Sequence, residues 1–184
     1  MKLLINTSSV DRGGSVQVAL SFLNECAKIE ENEYYVFLSP NLTKLVSTKM
    51  FPENFHFYPM DVRPVTKVFS LNPMSRLFSK LEREIRPDCV FTTSGPSYWR
   101  PSAPHVMGYN LPHYIYSDSP YWEIVSLKDR LIFWIKGILI QHFYSRDADV
   151  CVVQTDDVRE RLMQLIAKED VVTVSNTCSQ VYYD

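Results

Sequence analysis

The chain has 184 residues, the length of one ordinary domain of about 100–200 residues, and its 46% apolar and 22% charged residues exclude a disordered or fibrous polypeptide. Nineteen Lys and Arg against 21 Asp and Glu leave a formal charge of −2, so no bulk positive field draws in nucleic acid, and none is expected as a partner. Aromatic residues reach 13%, enough to suggest an exposed apolar or sugar-stacking surface besides the core.

Strand-like and helix-like segments alternate from end to end. Leu3-Leu4-Ile5 reads as the first strand. A polar loop follows, and Ser15 is expected to cap a helix with Val16, Ala19, Leu20 and Leu23 on one stripe. Tyr34 to Leu38 is the second strand; Asn41 is expected to cap a short helix with Leu42, Leu45 and Val46 inward; Phe55, Phe57 and Tyr58 make the third strand. Residues 60–71 carry no clear period. Asn72-Pro73 then reads as a cap and first helical position, with Met74, Leu77, Phe78, Leu81 and Ile85 at helical spacing and Pro87 as the stop.

Cys89-Val90-Phe91 is the fourth strand, His105 to Tyr109 the fifth, and a loop rich in Ser and Pro joins them. A polar-aromatic stretch runs from Asn110 to Trp122. The segment from Leu127 to Tyr144 is helical, too short and too charged to span a bilayer, which takes about 20 apolar residues. Two readings stand for it: a buried helix, favoured by its apolar content, or an interfacial helix in peripheral membrane contact, since Lys128, Arg130, Lys136 and Trp134 suit a headgroup boundary. Val150 to Val153 is a strand, Thr155 caps a helix carrying Val158, Leu162, Leu165 and Ile166, and Val171 to Val174 closes the series. The pattern predicts an α/β, Rossmann-like three-layer domain with a mostly parallel sheet of about seven strands.

Ligands of such sheets bind beyond the carboxyl ends of the strands, so three loops carry the chemistry. The first, Asn6 to Ser15, ends in Gly13-Gly14 at a helix N-terminus, where backbone N–H groups can cradle an anion; the plainer reading is a tight turn. It is neither G-x-G-x-x-G nor a P-loop. The second, Thr92 to Pro101, offers hydroxyls, Tyr98, Trp99 and Arg100, or is an ordinary Pro-rich surface loop. The third places Asn110 and His113 directly after a strand, although a lone histidine is more often structural. G-x-S-x-G is missing, Glu82 and Glu84 point to different helix faces, and the acidic side chains otherwise read as solvated surface.

Cys26, Cys89, Cys151 and Cys178 lie far apart, and His56, His105, His113 and His142 are scattered, so no metal site is expected and the thiols read as reduced. The apolar run at the N-terminus is shorter than the secretory core of about 7–15 residues. A cytoplasmic protein, possible at the inner face of the membrane through its 127–144 helix, is the expectation, and the sequons at Asn6 and Asn41 carry no weight.

Together these motifs resemble the N-terminal half of family 4 glycosyltransferases of the two-Rossmann-domain GT-B fold. The resemblance rests on Leu3-Leu4-Ile5 followed by Arg12-Gly13-Gly14-Ser15 and Val18-Ala19, on Arg86-Pro87-Asp88-Cys89-Val90-Phe91, and on Asn110-Leu111-Pro112-His113. It continues through Ala148-Asp149-Val150-Cys151-Val152-Val153-Gln154-Thr155 and Val174-Ser175-Asn176. It implies that residues 1–175 are the acceptor-side domain of a retaining hexosyltransferase of polysaccharide biosynthesis, with 176–184 opening the interdomain linker. The nucleotide sugar is a substrate, no cofactor is implied, and the acceptor is a glycan or lipid-linked sugar.

The resemblance carries catalysis to His113 and substrate contact to Gly13, Gly14, Ser15 and Asn110, with Tyr98, Trp99 and Arg100 for the acceptor. The C-terminal Rossmann domain, with most of the nucleotide-sugar site, is missing from the chain, so the chain alone is expected to be inactive. The alternatives are a non-catalytic Rossmann-like binding module and an accessory subunit of a split, membrane-associated glycosyltransferase.

Overall fold

The computed structural model describes residues 1–64 and 73–175. The expected cap at Asn72 and the linker over 176–184 lie outside them. Among the described residues the strands are β1 (Lys2–Asn6), β2 (Glu33–Leu38), β3 (Phe55–Pro59), β4 (Cys89–Thr92), β5 (His105–Gly108), β6 (Val150–Val153) and β7 (Val171–Thr173). They form one sheet in the order β3-β2-β1-β4-β5-β6-β7, with every neighbouring pair parallel. The helices are α1 (Gly14–Cys26), α2 (Pro40–Leu45), α3 (Pro73–Ile85), the short α4 (Tyr121–Ile124), α5 (Leu127–Asp147) and α6 (Asp156–Ile166). The Rossmann-like α/β fold expected from the alternation is the fold observed, and its sheet is parallel throughout.

Alternation along each strand sends successive side chains to opposite sheet faces. Ile5 and Val36 pack with Val16, Ala19 and Leu23 of α1 on one face. Their neighbours Leu4 and Phe37 pack with Val90 and with Met74, Phe78 and Ile85 of α3 on the other. A further cluster joins Met107, Cys151 and Val153 to Tyr144 of α5 and Leu162 and Ile166 of α6. Burial pushes the thiols of Cys26 and Cys151 up to about 11, so both stay protonated and inert near neutral pH.

Three local expectations change. Ser15 does not cap α1: the N-cap is Gly13, without a side-chain acceptor, and the Ser15 hydroxyl donates to the Arg12 carbonyl at 2.9 Å. Asn41 lies inside α2, whose cap is Ser39, its Oγ accepting from the Leu42 N–H at 3.1 Å while Pro40 supplies the first helical residue. Asp147 is buried rather than solvated, its Oδ2 accepting from Arg146 Nη2 at 2.9 Å; Glu82 is buried too, and its Oε1 accepts from the N–H groups of Ser102 and Ala103 at 2.6 and 2.9 Å. The cap at Thr155 forms as expected, accepting from Val158 N–H at 3.3 Å.

The larger departure is α5. Only Gly137, Tyr144 and Asp147 along its 21 residues are buried, and Leu127, Leu131, Trp134, Ile135 and Ile138 are exposed. The buried-helix reading therefore fails for its outer side. At a rise of about 1.5 Å per residue α5 is roughly 32 Å long, whereas the four-residue strands β5 and β6 span only about 13 Å. It overshoots the sheet, and its first turns pack on α4 through Phe133 on Trp122, and on the segment after β5 through Gly137 on Tyr114.

A buried polar chain crosses the middle of the sheet. Asn6 Nδ2 donates to Thr92 Oγ1 at 3.3 Å, Thr92 Oγ1 lies 2.8 Å from His105 Nε2, and His105 Nδ1 lies 2.7 Å from the Asp147 carbonyl. A carbonyl only accepts, so Nδ1 holds the ring proton and Nε2 accepts from the threonine hydroxyl. Burial holds His105 below its ordinary value of 6.5. The unfolded chain thus binds more protons than the folded one as pH falls below about 6.5, and stability, full above that pH, declines as pH drops toward the folded-state value. His113, also lowered by burial, adds the same sign. Denaturant titrations from about pH 7.5 to 5 should show this loss in the wild type and a shallower slope in His105→Asn, which at pH 7.5 should be less stable by about 1–3 kcal/mol. A slope unchanged by the replacement would contradict a buried neutral imidazole.

Candidate functional site

The strand order reverses between β1 and β4, because β2 and β3 lie to one side of β1 and the later strands to the other. Loops leaving adjacent strands diverge there and open a crevice at the carboxyl edge. A cleft of about 650 Å³ occupies it, walled by the β1–α1 loop, the β4–β5 loop and the segment after β5.

Short polar contacts hold these loops together. Asn6 Oδ1 accepts from the Ser8 N–H and hydroxyl at 3.1 and 2.6 Å, and Thr7 Oγ1 donates to the Phe37 carbonyl at 2.6 Å, which fixes the chain leaving β1. Ser9 Oγ donates to the Pro96 carbonyl at 3.1 Å, joining the first loop to the second. Ser94 Oγ donates to Asn110 Oδ1 at 3.0 Å, joining the second to the third. Gly108 permits the tight pairing beneath them, since a Cβ there would stand 2.5 Å from the Thr93 carbonyl oxygen.

The first wall is electropositive. Gly13 has φ 66°, a left-handed conformation that an L side chain resists, and a Cβ at Gly13 or Gly14 would meet nothing within 4 Å. The start of α1 is therefore open, carries no acidic residue in its first turn and receives no side-chain cap, so the positive end of the helix is left to the cleft. Arg12, its side chain 93% exposed, and Arg63 stand beside it, with Arg63 Nη1 3.0 Å from Asp11 Oδ2. Among the described residues lining the cleft, two guanidinium groups stand against one carboxylate, which makes this wall positive.

The opposite wall is aromatic and neutral. His113 stacks on Tyr114 with centroids 4.2 Å apart and meets Phe133 edge-on at 5.7 Å. Half-burial holds it below its ordinary 6.5, so it is uncharged at neutral pH. It lies between the cleft and a second, aromatic-lined pocket of about 490 Å³ that includes Tyr116, Tyr121 and Trp122. Burial pushes the Tyr98 hydroxyl up to about 12, so it stays protonated as a donor.

The structure gathers Gly14, Ser15, Tyr98, Asn110 and His113 around one cleft, with Gly13 at its rim. It does not bring Trp99 or Arg100 there. Trp99 is buried against Phe37 and Phe78, with Nε1 donating to Ser79 Oγ at 3.0 Å, so it is a core residue. Arg100 lies 3.6 Å from Asp149, just before β6, at the opposite edge of the sheet. Sequence reasoning passed over Arg63 and Gln154, which also line the cleft. Both follow strand ends, β3 and β6, and that address was the available signal. No cluster of His, Cys, Asp and Glu among the described residues could hold a metal ion.

No family model matches the sequence, and no curated protein matches it. Solved structures do. Anabaena Alr3699/HepE, in complex with UDP and glucose, superposes with a TM-score of 0.59 at 13% identity over 100% of this chain and 46% of its own. A glycosyltransferase from Rickettsia africae gives 0.60 at 14% identity, over 100% and 45%. UGT2 of Phytolacca americana, complexed with UDP-2fluoro-glucose and pterostilbene, gives 0.53 at 10%, over 99% and 56%. The chain thus spans about half the length of these structures. At such identities the likeness is one of fold, and it matches the half-GT-B, Rossmann-like domain expected from the sequence.

Trp99→Ala should destabilise the protein by about 3–5 kcal/mol, and Arg100→Ala by no more than about 0.5 kcal/mol. Thermal and urea unfolding of the two variants checks this; a near-neutral Trp99→Ala would contradict its place in the core.

Proposed function

We propose that the chain is the acceptor-binding half of a glycosyltransferase that moves a sugar from a nucleotide-sugar donor to a glycan or lipid-linked acceptor. One observation carries the reading: a cleft at the strand-order reversal has a net positive wall on one side and a neutral histidine among aromatic rings on the other. The fold likeness to proteins bound to UDP and to UDP-2fluoro-glucose supports it. Membership of family 4, retention of configuration and a hexosyl donor are parts of the proposal that rest on sequence motifs.

Sugar transfer breaks the bond between the anomeric carbon and a diphosphate oxygen, so negative charge grows on the departing diphosphate. Donors already aimed at that charge stabilise it without reorganisation. Arg12, Arg63 and the open N-terminus of α1 form such a set. The neutral ring of His113 has one nitrogen without a proton, able to accept a hydrogen bond from a hydroxyl of the bound sugar; with retention the acceptor oxygen bonds the anomeric carbon on the face the diphosphate leaves, and its proton passes to the departing phosphate oxygen. Asn110, held by Ser94, and Tyr98, a protonated donor, would orient the acceptor. The nucleotide sugar is substrate, and the reading calls for no cofactor.

A donor must be enclosed as well as touched, and one wall cannot exclude water from it. The 184-residue chain, given labelled UDP-glucose and an oligosaccharide acceptor, is expected to give no transfer; clear turnover would contradict the half-enzyme reading. UDP binding measured by calorimetry should weaken about tenfold or more in the Arg12→Gln, Arg63→Gln double variant, by loss of charge-assisted hydrogen bonds. Equal affinity would remove the positive wall from the donor site and favour a non-catalytic binding module.

A further inference from the structure

Among the described residues none covers the outer side of α5. Leu127, Leu131, Trp134, Ile135 and Ile138 recur at helical spacing and form one stripe. Their exposures run from 82% at Leu127 and 65% at Trp134 to 46% at Ile138, and Ile124 just before the helix is 83% exposed. Phe133, Gly137, Ile140 and Tyr144, spaced 4, 3 and 4 apart, fall on the opposite side and face the body of the protein. A helix apolar on both sides needs a second apolar surface, and a contiguous patch of this kind marks an interaction site.

Charge and position choose the occupant. Within the first three turns Lys128 falls on one flank of the stripe and Arg130 on the other, with Lys136 farther round the helix, all exposed. The acidic residue there, Asp129, is turned to the N-cap, accepting from the Ser126 hydroxyl at 2.6 Å. The stripe is therefore apolar with a cationic rim and a tryptophan within it. A second copy would set one cationic rim against another. A polypeptide closing over the cleft would meet the side that carries Ile140, away from the stripe. No helix among the described residues is long and apolar enough to cross a membrane.

We infer that the outer face of α5 docks in the interface of an anionic lipid bilayer, lying in its plane with Leu131, Trp134, Ile135 and Ile138 among the acyl chains. Lys128 and Arg130 extend from the flanks to lipid phosphates, the arrangement by which long cationic side chains keep their charge in the headgroup layer. Apolar burial supplies the depth and the cations the preference for anionic lipid. The inference does not depend on the chemistry of the cleft.

Flotation of the chain with vesicles of phosphatidylglycerol and phosphatidylcholine tests it, with pure phosphatidylcholine as comparison. The wild type should float with the mixed vesicles at low salt, more weakly as salt rises and more weakly with phosphatidylcholine alone. Leu131→Ser, Ile135→Ser, Ile138→Ser combined should lower the partition coefficient by about a hundredfold or more with an unchanged melting profile, since the replaced side chains are exposed. Tryptophan emission should shift to the blue on adding vesicles, and Trp134→Phe should abolish most of that shift. Absence of flotation at low salt, or equal flotation of the triple-serine variant, would overturn the proposal. A concentration-dependent dimer abolished by the same substitutions, without vesicle binding, would overturn it too and assign the face to a second copy.

Discussion

The hydroxyl of Thr92 stands where the sheet reverses its order, between the Asn6 amide and the His105 imidazole. A parallel sheet must bury the polar ends of its central strands, and each buried donor or acceptor left unpaired costs free energy comparable to a lost hydrogen bond. Here the chain Asn6, Thr92, His105 and the Asp147 carbonyl joins β1, β4, β5 and the end of α5 in one relay. Asn6 also turns the β1–α1 loop through Ser8. The group that closes the core thus sets the position of the loop that opens the site.

From that anchor the cleft is assembled by short links rather than by large side chains. Ser9 to Pro96 and Ser94 to Asn110 tie three loops edge to edge, and Gly108 lets β5 come close enough for the tie to form. The result is a site of two characters, an open helix end with arginines facing aromatic rings with an uncharged histidine. Such a division suits a molecule with an anionic end and a sugar end, which is why the chemistry of nucleotide-sugar transfer fits better than phosphate binding alone. The same aromatic wall continues into the foot of α5, so the site and the uncovered helix share Phe133 and His113.

Much of the fold was legible because alternation and punctuation are local. Pro87 stops α3 and Thr155 caps α6 where the sequence says they should, and a parallel sheet follows from strands separated by helices. The cleft was legible at the level of its loops, since every strand end is marked. What escaped reading was long-range. Trp99 sits in a loop of Ser and Pro, and only the approach of Phe37 and Phe78 from distant elements makes it core. Arg63 lies in a stretch without period, and its neighbourhood with Asp11 depends on the pairing of β3 beside β2. In α5 periodicity could not say which apolar side would be covered, because both sides are apolar.

The central claim is that the crevice at the β1/β4 reversal is where substrate is held. Amide chemical-shift mapping of the isotope-labelled chain, titrated with UDP-glucose, addresses it residue by residue and detects weak binding. The account predicts shifts concentrated at Arg12 to Ser15, Ser94 to Gly95 and Asn110 to His113, with Arg100 and Asp149 unmoved. Shifts gathered at the opposite edge of the sheet, or none at saturating ligand, would contradict it.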